Sequence, residues 1–560
     1  MHGASAPSVG MGIGLVRALL RCSARGSLLR VVALGAAGAA EGRPRRAEVI
    51  AALSLALDLG LGQPMEHMLR SAIIACRLAD RVGLQSEQRA VVYYCDLLAW
   101  IGCHADSYEV SAVFGDDIGY RAATYQVDLS GLPLLRFLMQ HVAEDRPVMR
   151  RGMARAAFMM SARRQMTTII RSHHESAGQL ADRLGMGPDV RRSLGYFFER
   201  WDGTGLPDGA AGEQIPMEMR IVHLADVVEV LLREQGTEGA VAVARKRAGT
   251  QFDPEIVTAF ERWAPEIVGG LPPGDPWQAA LNEAPDQQAL LGPDELDNML
   301  VALGDFVDLR SPHRHGHSRR VARLAAHAAS GYGLAPQEVR MLARAGLVHD
   351  VGRLGVSNAV WNARGPLSSA ARERMLLYPY LTQRIVGRIS GLSDVAVLAG
   401  LHRERLDGSG YPKGVDGSFL PVSARILAAS DVYQSLTESR SFRAALKGEA
   451  AAERLRQGVR EGTLDQSAVE AVLKAAGQEV PHIANTPSAL TARELEILRM
   501  VAVGRSSRQV ARELVISEKT VRNHLEHIYA KVGVTNRVSA SMFALQHGIV
   551  RAGQVGGAAW

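Results

Sequence analysis

Residues 196–231 read YFFERWDGTGLPDGAAGEQIPMEMRIVHLADVVEVL, and residues 401–436 read LHRERLDGSGYPKGVDGSFLPVSARILAASDVYQSL. Both follow one plan: ERxDGxGxPxG, a short spacer, then RIxxxxDVxxxL. Self-similarity of this kind marks a duplicated folding unit. The upstream halves align as well. His67 lies 17 residues before Leu84, and His317 lies 17 residues before Leu334. The spacing predicts two tandem domains, 47–262 and 294–484. Residues 263–293 are rich in Pro, Gly and Asp and read as a linker between them. A second boundary falls at 477–488, GQEVPHIANTPS.

Both domains read as mainly α. The segments LDNMLVALGDFVDL, SRRVARLAAHAASGYG and APQEVRMLARAGLV between 296 and 348 repeat their apolar residues with the helical period. No segment alternates with period two for long enough to make a convincing strand.

The C-terminal stretch 490–549 is LTARELEILRMVAVGRSSRQVARELVISEKTVRNHLEHIYAKVGVTNRVSASMFALQHGI. It predicts four short helices. Thr491 with Glu494 is a capping box. Gly504 and Ser506-Ser507 end the first helix and cap the second. Val515-Ile516 makes the turn, and Ser517 caps a third helix. On that helix Val521, Leu525, Ile528 and Val532 form one buried stripe. The opposite face carries Lys519, Thr520, Arg522, Asn523 and Lys531, donors suited to phosphate oxygens and base edges. From 488 to 550 nine Lys and Arg face five Asp and Glu, a balance that favours nucleic acid over a merely solvated face.

With 560 residues, 47% hydrophobic, the chain has length for three or four domains and ample core. The net charge of +6 is compatible with a nucleic-acid partner. The four cysteines (Cys22, Cys76, Cys95, Cys103) form no CxxC pair, which points to a reducing, cytoplasmic setting without a disulfide framework. No apolar run approaches a membrane span, so no membrane partner is expected. Residues 1–46 mix apolar side chains with Arg17, Arg21, Arg25 and Arg30, which break up any signal-peptide core. They read as a basic, disordered tail or as sequence upstream of the true start.

The second domain carries chemistry-bearing residues: His317, the adjacent His349-Asp350, His402 and Asp431. His and Asp together at the end of an apolar helix are drawn inward. A divalent metal (Fe, Mn, Zn, Ni or Co) would resolve the buried charge and could drive phosphate-ester hydrolysis. In the competing reading Asp350 pairs with Arg353 or Arg405 and the histidines are core hydrogen bonders. His104, Asp106 and His173-His174 could form a separate metal site, though such residues are more often solvated.

The strings HSRRVARLA, HDVGRLGV, ERLDGSGYPKG and RILAASDVYQSL, over about 305–445, resemble the HD-GYP subgroup of HD-domain phosphohydrolases. The resemblance implies hydrolysis of cyclic dinucleotides at a centre of two or three metals. It implies His317, His349, Asp350 and Asp431 as metal ligands, His402 as the first His of the family's His pair, and His349, Asp350 and Arg353 as the catalytic set. Three departures stand out: Arg403 replaces the second His of that pair, Tyr378 replaces another ligand histidine, and Arg353 replaces a lysine. A second metal therefore lacks ligands, while a one-metal site survives. His313, four residues before His317, could replace a lost ligand but reads better as a loop residue. In the first copy Ala99-Trp100 and Phe197-Phe198 stand where ligands would be, and only His67 and Asp226 remain. That copy reads as non-catalytic: a structural half, a dimer partner or a small-molecule pocket.

Residues 487–550 closely resemble the LuxR-type helix-turn-helix domain. The resemblance implies double-stranded DNA as partner and a homodimer through the last helix. Lys519, Thr520, Arg522 and Asn523 would touch DNA, and His524 and Lys531 would contact its backbone or brace the helix. The combined expectation is a DNA-binding transcription regulator with HD-GYP-like sensory domains that take a cyclic dinucleotide or other nucleotide. The rivals are a metal-dependent phosphodiesterase with an attached DNA-binding module, and an inert scaffold.

Overall fold

The computed structural model describes residues 42–478 and 490–550, apart from 105, 126, 129–130, 144–147, 533–536 and 547–548. Residues 1–41 of the expected tail and the boundary around 484–487 lie outside them. The chain divides into two units, 1–478 and 479–560. Among the described residues there are helices and isolated bridges but no strand.

The first copy begins with α1 (Arg46–Leu61), α2 (His67–Arg81) and α3 (Ser86–Leu98). It continues through α4 (Ser107–Phe114), α5 (Asp117–Thr124), α6 (Gly131–His141) and the long α7 (Val148–Arg183). Next come α8 (Pro188–Leu194), α9 (Met217–Arg247) and α10 (Pro254–Gly269). Helix α9 breaks at Gly236, whose φ is 71°. The segment expected to be a linker is folded instead. Helix α10 runs into it, and α11 (Trp277–Asn282) buries Ala280 and Leu281. Arginines on α2 and α3 fasten it: Arg70 donates to Pro272 O (2.7 Å), Arg77 to Ile267 O (2.7 Å) and Arg89 to Glu283 O (2.9 Å). Its Pro and Gly residues shape turns on a packed surface; composition alone did not reveal the arginine donors waiting for its carbonyls.

The second copy comprises α12 (Pro293–Leu309), α13 (His317–Tyr332), α14 (Pro336–Val348), α15 (Asn358–Trp361), α16 (Ser369–Val386), α17 (Ser393–Ala399), α18 (Val422–Leu436), α19 (Gly448–Arg460) and α20 (Gln466–Ala475). The repeat is visible in detail. His67 and His317 each open a helix after a left-handed residue, Glu66 (φ 79°) and Gly316 (φ 69°). Asp58 and Asp308 accept from the next residue's amide, at Met68 (3.2 Å) and Ser318 (2.8 Å). Arg220 and Arg425 hold the carbonyls of Ile215 and Leu420 and pair with Asp253 and Asp465. Helix α9 packs on α2 and α3, and α18 packs on α13 and α14, so the conserved carboxylate helix crosses the His-bearing pair in each copy.

The ERxDGxGxP loop is held by its own glutamate. Glu199 accepts from the amides of Asp208 (2.9 Å) and Gly209 (3.2 Å), and Glu404 from those of Lys413 (2.8 Å) and Val415 (3.2 Å). A Cβ at Gly205 or Gly410 would stand 2.4 Å from the Cα of that glutamate, so only glycine lets the loop close.

The C-terminal unit contains α21 (Ala492–Ala502), α22 (Ser507–Glu513), α23 (Glu518–Val532) and α24 (Arg537–Gln546) around its own core of Ile497, Leu498, Val501, Val510, Val521 and Ile528. The expected caps form: Thr491 with Glu494, Ser506 with Gln509, and Ser517 Oγ accepting from Thr520 N at 3.0 Å.

Candidate metal centre and nucleic-acid interface

In the second copy α13 supplies His317, the end of α14 supplies His349 and Asp350, the turn after α17 supplies His402, and α18 supplies Asp431. All five side chains are buried. Two groups of donors converge within 4.8 Å: His317, His349 and Asp431, and His349, Asp350 and His402.

The outer edges of the imidazoles are already spoken for. His317 Nδ1 donates to Glu438 (2.9 Å), His349 Nδ1 to Gly346 O (2.8 Å) and His402 Nδ1 to Ala399 O (2.7 Å). Each ring therefore turns its Nε2 inward, the second-layer arrangement that prepares histidine for a metal. His317 Nε2, His349 Nε2 and Asp350 Oδ1 are buried without a hydrogen-bond partner, and Asp431 Oδ1 faces the imidazoles, 3.3 Å from His317 Nε2 and 3.8 Å from His349 Nε2. These convergent imidazole and carboxylate donors fit one divalent ion. When bound, such an ion supplies Lewis acidity toward a phosphoryl oxygen.

Two arginines engage the same carboxylates. Arg314 donates to Asp350 Oδ2, and the Arg403 guanidinium lies 3.1 Å from Asp431 Oδ2. Burial raises both carboxyls' pKa, but the guanidiniums outweigh it and hold Asp350 and Asp431 well below the usual carboxylate range. The sequence reading offers Arg353 or Arg405 as partner for Asp350; the partner is Arg314, at the end of the 3₁₀ turn that precedes α13. Arg353 instead stacks its guanidinium 3.5 Å over the Trp361 ring, and burial with the neighbouring Arg314 pulls it down to about 9, so it remains charged at neutral pH.

His402 has a different role from the other histidines. Tyr378 O–H donates to its Nε2 at 2.7 Å, and Arg403 Nε–H donates to the Tyr378 oxygen at 2.7 Å. Burial, His349 and Arg403 lower His402 to about 3, so it is a neutral acceptor. The relay Arg403–Tyr378–His402 joins the two positions, 378 and 403, at which the sequence departs from the family's ligand pattern. His402 Nε2 is 3.8 Å from Asp350 Oδ1, within the cluster, with its electron pair already engaged. His313 sits in a 3₁₀ turn beside Ser439 and Tyr108, outside the donor group.

Glu438 is a site residue that sequence reasoning missed. It bridges His317 and Arg320 and is held down to about 2: burial opposes its charge, but the hydrogen bond from His317 outweighs it. It lies seven residues after Asp431, just beyond the end of α18. That spacing was the available signal.

The positions of the first copy equivalent to that centre do not fit a metal. Asp226 Oδ1 accepts from Trp100 Nε1 (3.0 Å), Tyr125 O–H (3.2 Å) and His67 Nε2 (3.2 Å). His67 Nδ1 meets Glu229 at 2.5 Å. Burial opposes its charge, yet Glu229 and Asp226 raise His67 well above its ordinary value, so both ring nitrogens are donors. Trp100 packs edge-on to Phe197 and Phe198 at centroid distances of 4.9 and 5.9 Å.

On α23, Lys519, Thr520, Arg522 and Asn523 are exposed and His524 is half-buried, while Val521, Leu525 and Ile528 face the core. Lys531 is paired with Glu494 (2.8 Å), so it braces α23 against α21. Of the last helix, Asn536 and His547 lie outside the described residues.

The HD domain family matches this chain over residues 159–256 and 302–468, and the luxR family of bacterial regulatory proteins matches residues 488–544. The 3'3'-cGAMP-specific phosphodiesterase 3 of Vibrio cholerae is 29% identical over 403 residues, 71% of this chain and 88% of that protein. The 3'3'-cGAMP-specific phosphodiesterase 1 of the same organism is 30% identical over 194 residues, 35% of this chain and 45% of that protein. In fold, the chain is similar to the crystal structure of a cyclic GMP-AMP-specific phosphodiesterase from V. cholerae, with a TM-score of 0.54 at 24% identity, covering 78% of this chain and 98% of that one.

Proposed function

From a chain that joins an HD domain to a C-terminal domain of the luxR family of bacterial regulatory proteins, we infer a DNA-binding transcription regulator whose second HD copy binds a cyclic dinucleotide at a one-metal centre. The observation that carries this reading is the capture of one oxygen from each essential carboxylate by Arg314 and Arg403. A carboxylate with one oxygen held by a guanidinium has only the other left for metal, which weakens its hold on a second ion. The centre is left with one ion, held by His317, His349, Asp350 and Asp431, beside a cluster of fixed guanidiniums. Cationic side chains beside the ion would bind a phosphodiester through charge-assisted hydrogen bonds. Lys519, Thr520, Arg522 and Asn523 would meet DNA, with His524 toward its backbone; α24 would pair two chains.

Gel shifts on the chain's own upstream DNA test the regulator reading. Affinity should fall at least tenfold on Arg522→Ala and decline steeply with salt. Adding 3'3'-cGAMP or cyclic di-GMP with Mn should change that affinity while the dinucleotide stays intact. A DNA affinity indifferent to both ligands would overturn the sensory part.

A second reading, a metal-dependent phosphodiesterase with an attached DNA-binding module, is favoured by the intact four-donor set. Multiple turnovers of cyclic dinucleotide, abolished by His349→Ala, would establish it over the first.

A further inference from the structure

The first copy holds a donor cluster remote in kind from the one that its family likeness concerns. Cys103 lies in the 3₁₀ turn Ile101–His104, Asp106 immediately precedes α4, and His173 comes from the middle of α7. Their donor atoms lie within 4.8 Å of one another. Exposure is 6% for Cys103, 6% for Asp106 and 1% for His173.

The histidine is the informative member. Neither His173 ring nitrogen makes a well-formed hydrogen bond; the Ala99 backbone lies near the ring without good hydrogen-bond geometry. A buried polar ring with both nitrogens unsatisfied costs on the order of 1–3 kcal/mol per group. The turn is nevertheless built around it. A Cβ at Gly102 would meet the His173 ring at 2.5 Å and its carbonyl at 2.4 Å, so this glycine is what admits the imidazole. Cys103 is a free thiol. Asp106 does not cap the helix that it precedes, and Arg121 engages its Oδ1 at 2.9 Å.

We propose that Cys103, Asp106 and His173 form a binding site for a zinc-type divalent cation, separate from the centre in the second copy. Thiolate, imidazole and carboxylate together are a borderline-soft set that selects Zn(II) over Mg or Ca. Three protein ligands leave a fourth position. Cys103 and Asp106 line a cavity of about 260 Å³, walled by Trp100, Tyr125 and Phe197, so that position opens inward to a water or a small ligand. The ion would tie α7 to the turn before α4 and so fix one wall of the cavity. On binding, the Cys103 thiol loses its proton to solvent and its sulfur takes the metal bond.

Cobalt distinguishes this site from the other, because the second-copy centre contains no cysteine. The full chain, stripped of metal and reloaded with Co(II), should show a near-ultraviolet thiolate-to-cobalt charge-transfer band. Cys103→Ser and His173→Phe should each abolish the band and remove one equivalent of metal per chain. His349→Ala should lower the total metal but leave the band. Melting curves check that each variant is folded. Should His173→Phe unfold, the Cys103→Ser result alone decides. A cobalt-loaded parent without a thiolate band, or a band that survives Cys103→Ser, overturns the proposal. Neither outcome bears on the regulator reading, which rests on the C-terminal domain and the second copy.

Discussion

A guanidinium and a divalent ion compete for the same carboxylate oxygens, and in the second copy two guanidiniums hold the outer ones. Reversing that competition should be possible one side chain at a time. Arg314→Ser frees Asp350 Oδ2, Arg403→His removes the cation beside Asp431, and Tyr378→His supplies a ligand where the hydroxyl now engages His402. The triple variant should take up one more equivalent of Mn or Fe per chain than the parent, read by elemental analysis after dialysis; an unchanged ratio would mean that the arginines do not limit the centre. The losses at 378 and 403 were legible in the sequence because they fall inside a fixed motif. Arg314 was not, since its neighbour Asp350 is 36 residues away and only the packing of α13 against α14 brings them together. A smaller residue-scale effect sits in the helix-turn-helix. Val515 adopts φ 54° and is 90% exposed. A β-branched side chain there costs about 1–2 kcal/mol, so Val515→Asn should stabilise the C-terminal unit by about 1 kcal/mol in urea unfolding.

At the level of single elements, the loop ERxDGxGxP persists in the copy that has lost the equivalent metal donors because a glutamate and a glycine build it. Glu404→Ala would strand the amides of Lys413 and Val415 and cost about 1–3 kcal/mol, seen as a lowered melting temperature. Helix caps were the most legible elements, because a cap is a local exchange of hydrogen bonds. Thr491, Ser506 and Ser517 all act as read. The closure of α21 on α23 was not local: Glu494 caps its own helix and also binds Lys531, 37 residues on. The hydrogen bond from Lys531, with the Thr491 amide, lowers Glu494 to about 2 from an ordinary 4.5. A depressed carboxyl stabilises the fold above its unfolded pKa and loses that contribution as pH falls toward its folded one. Glu494→Gln should therefore melt below the parent at pH 7, with the gap closing between about pH 4.5 and 2, in circular-dichroism melts of residues 479–560. A gap independent of pH would assign the effect to packing. The segment 263–293 went the other way. Its Pro and Gly content suggested a free linker, while the arginines that dock it lie some 200 residues upstream, where composition could not point to them.

Across the 42–478 unit, the duplication was visible in the sequence, but the way in which the copies are joined was not. Asp117 in α5 is completely buried and gathers both halves. It accepts from Arg310 (2.9 Å), Ser357 Oγ (2.7 Å) and the Asn358 amide (2.9 Å) of the second copy, and it pairs with Arg121 (3.4 Å) of its own. Arg310 also donates to Leu354 O (2.6 Å), in the turn that follows His349-Asp350. Arg121 in turn holds Asp106 (2.9 Å), at the edge of the first-copy cavity. A continuous buried polar chain thus runs from that cavity to the turn behind the metal donors. Its central carboxylate neutralises two guanidiniums, so Asp117→Asn would preserve shape while leaving Arg310 unmatched and Arg121 with Asp106 as its remaining carboxylate. Breaking a buried ion pair from one side costs about 3–5 kcal/mol. The variant should melt lower, and its single cooperative transition should separate into two as the halves lose their common joint. If the chain also carries information, metal affinity at His349-Asp350 should fall in Asp117→Asn at a temperature where both halves remain folded. A variant with a lower melting temperature and undiminished metal affinity would make Asp117 a joint and nothing more.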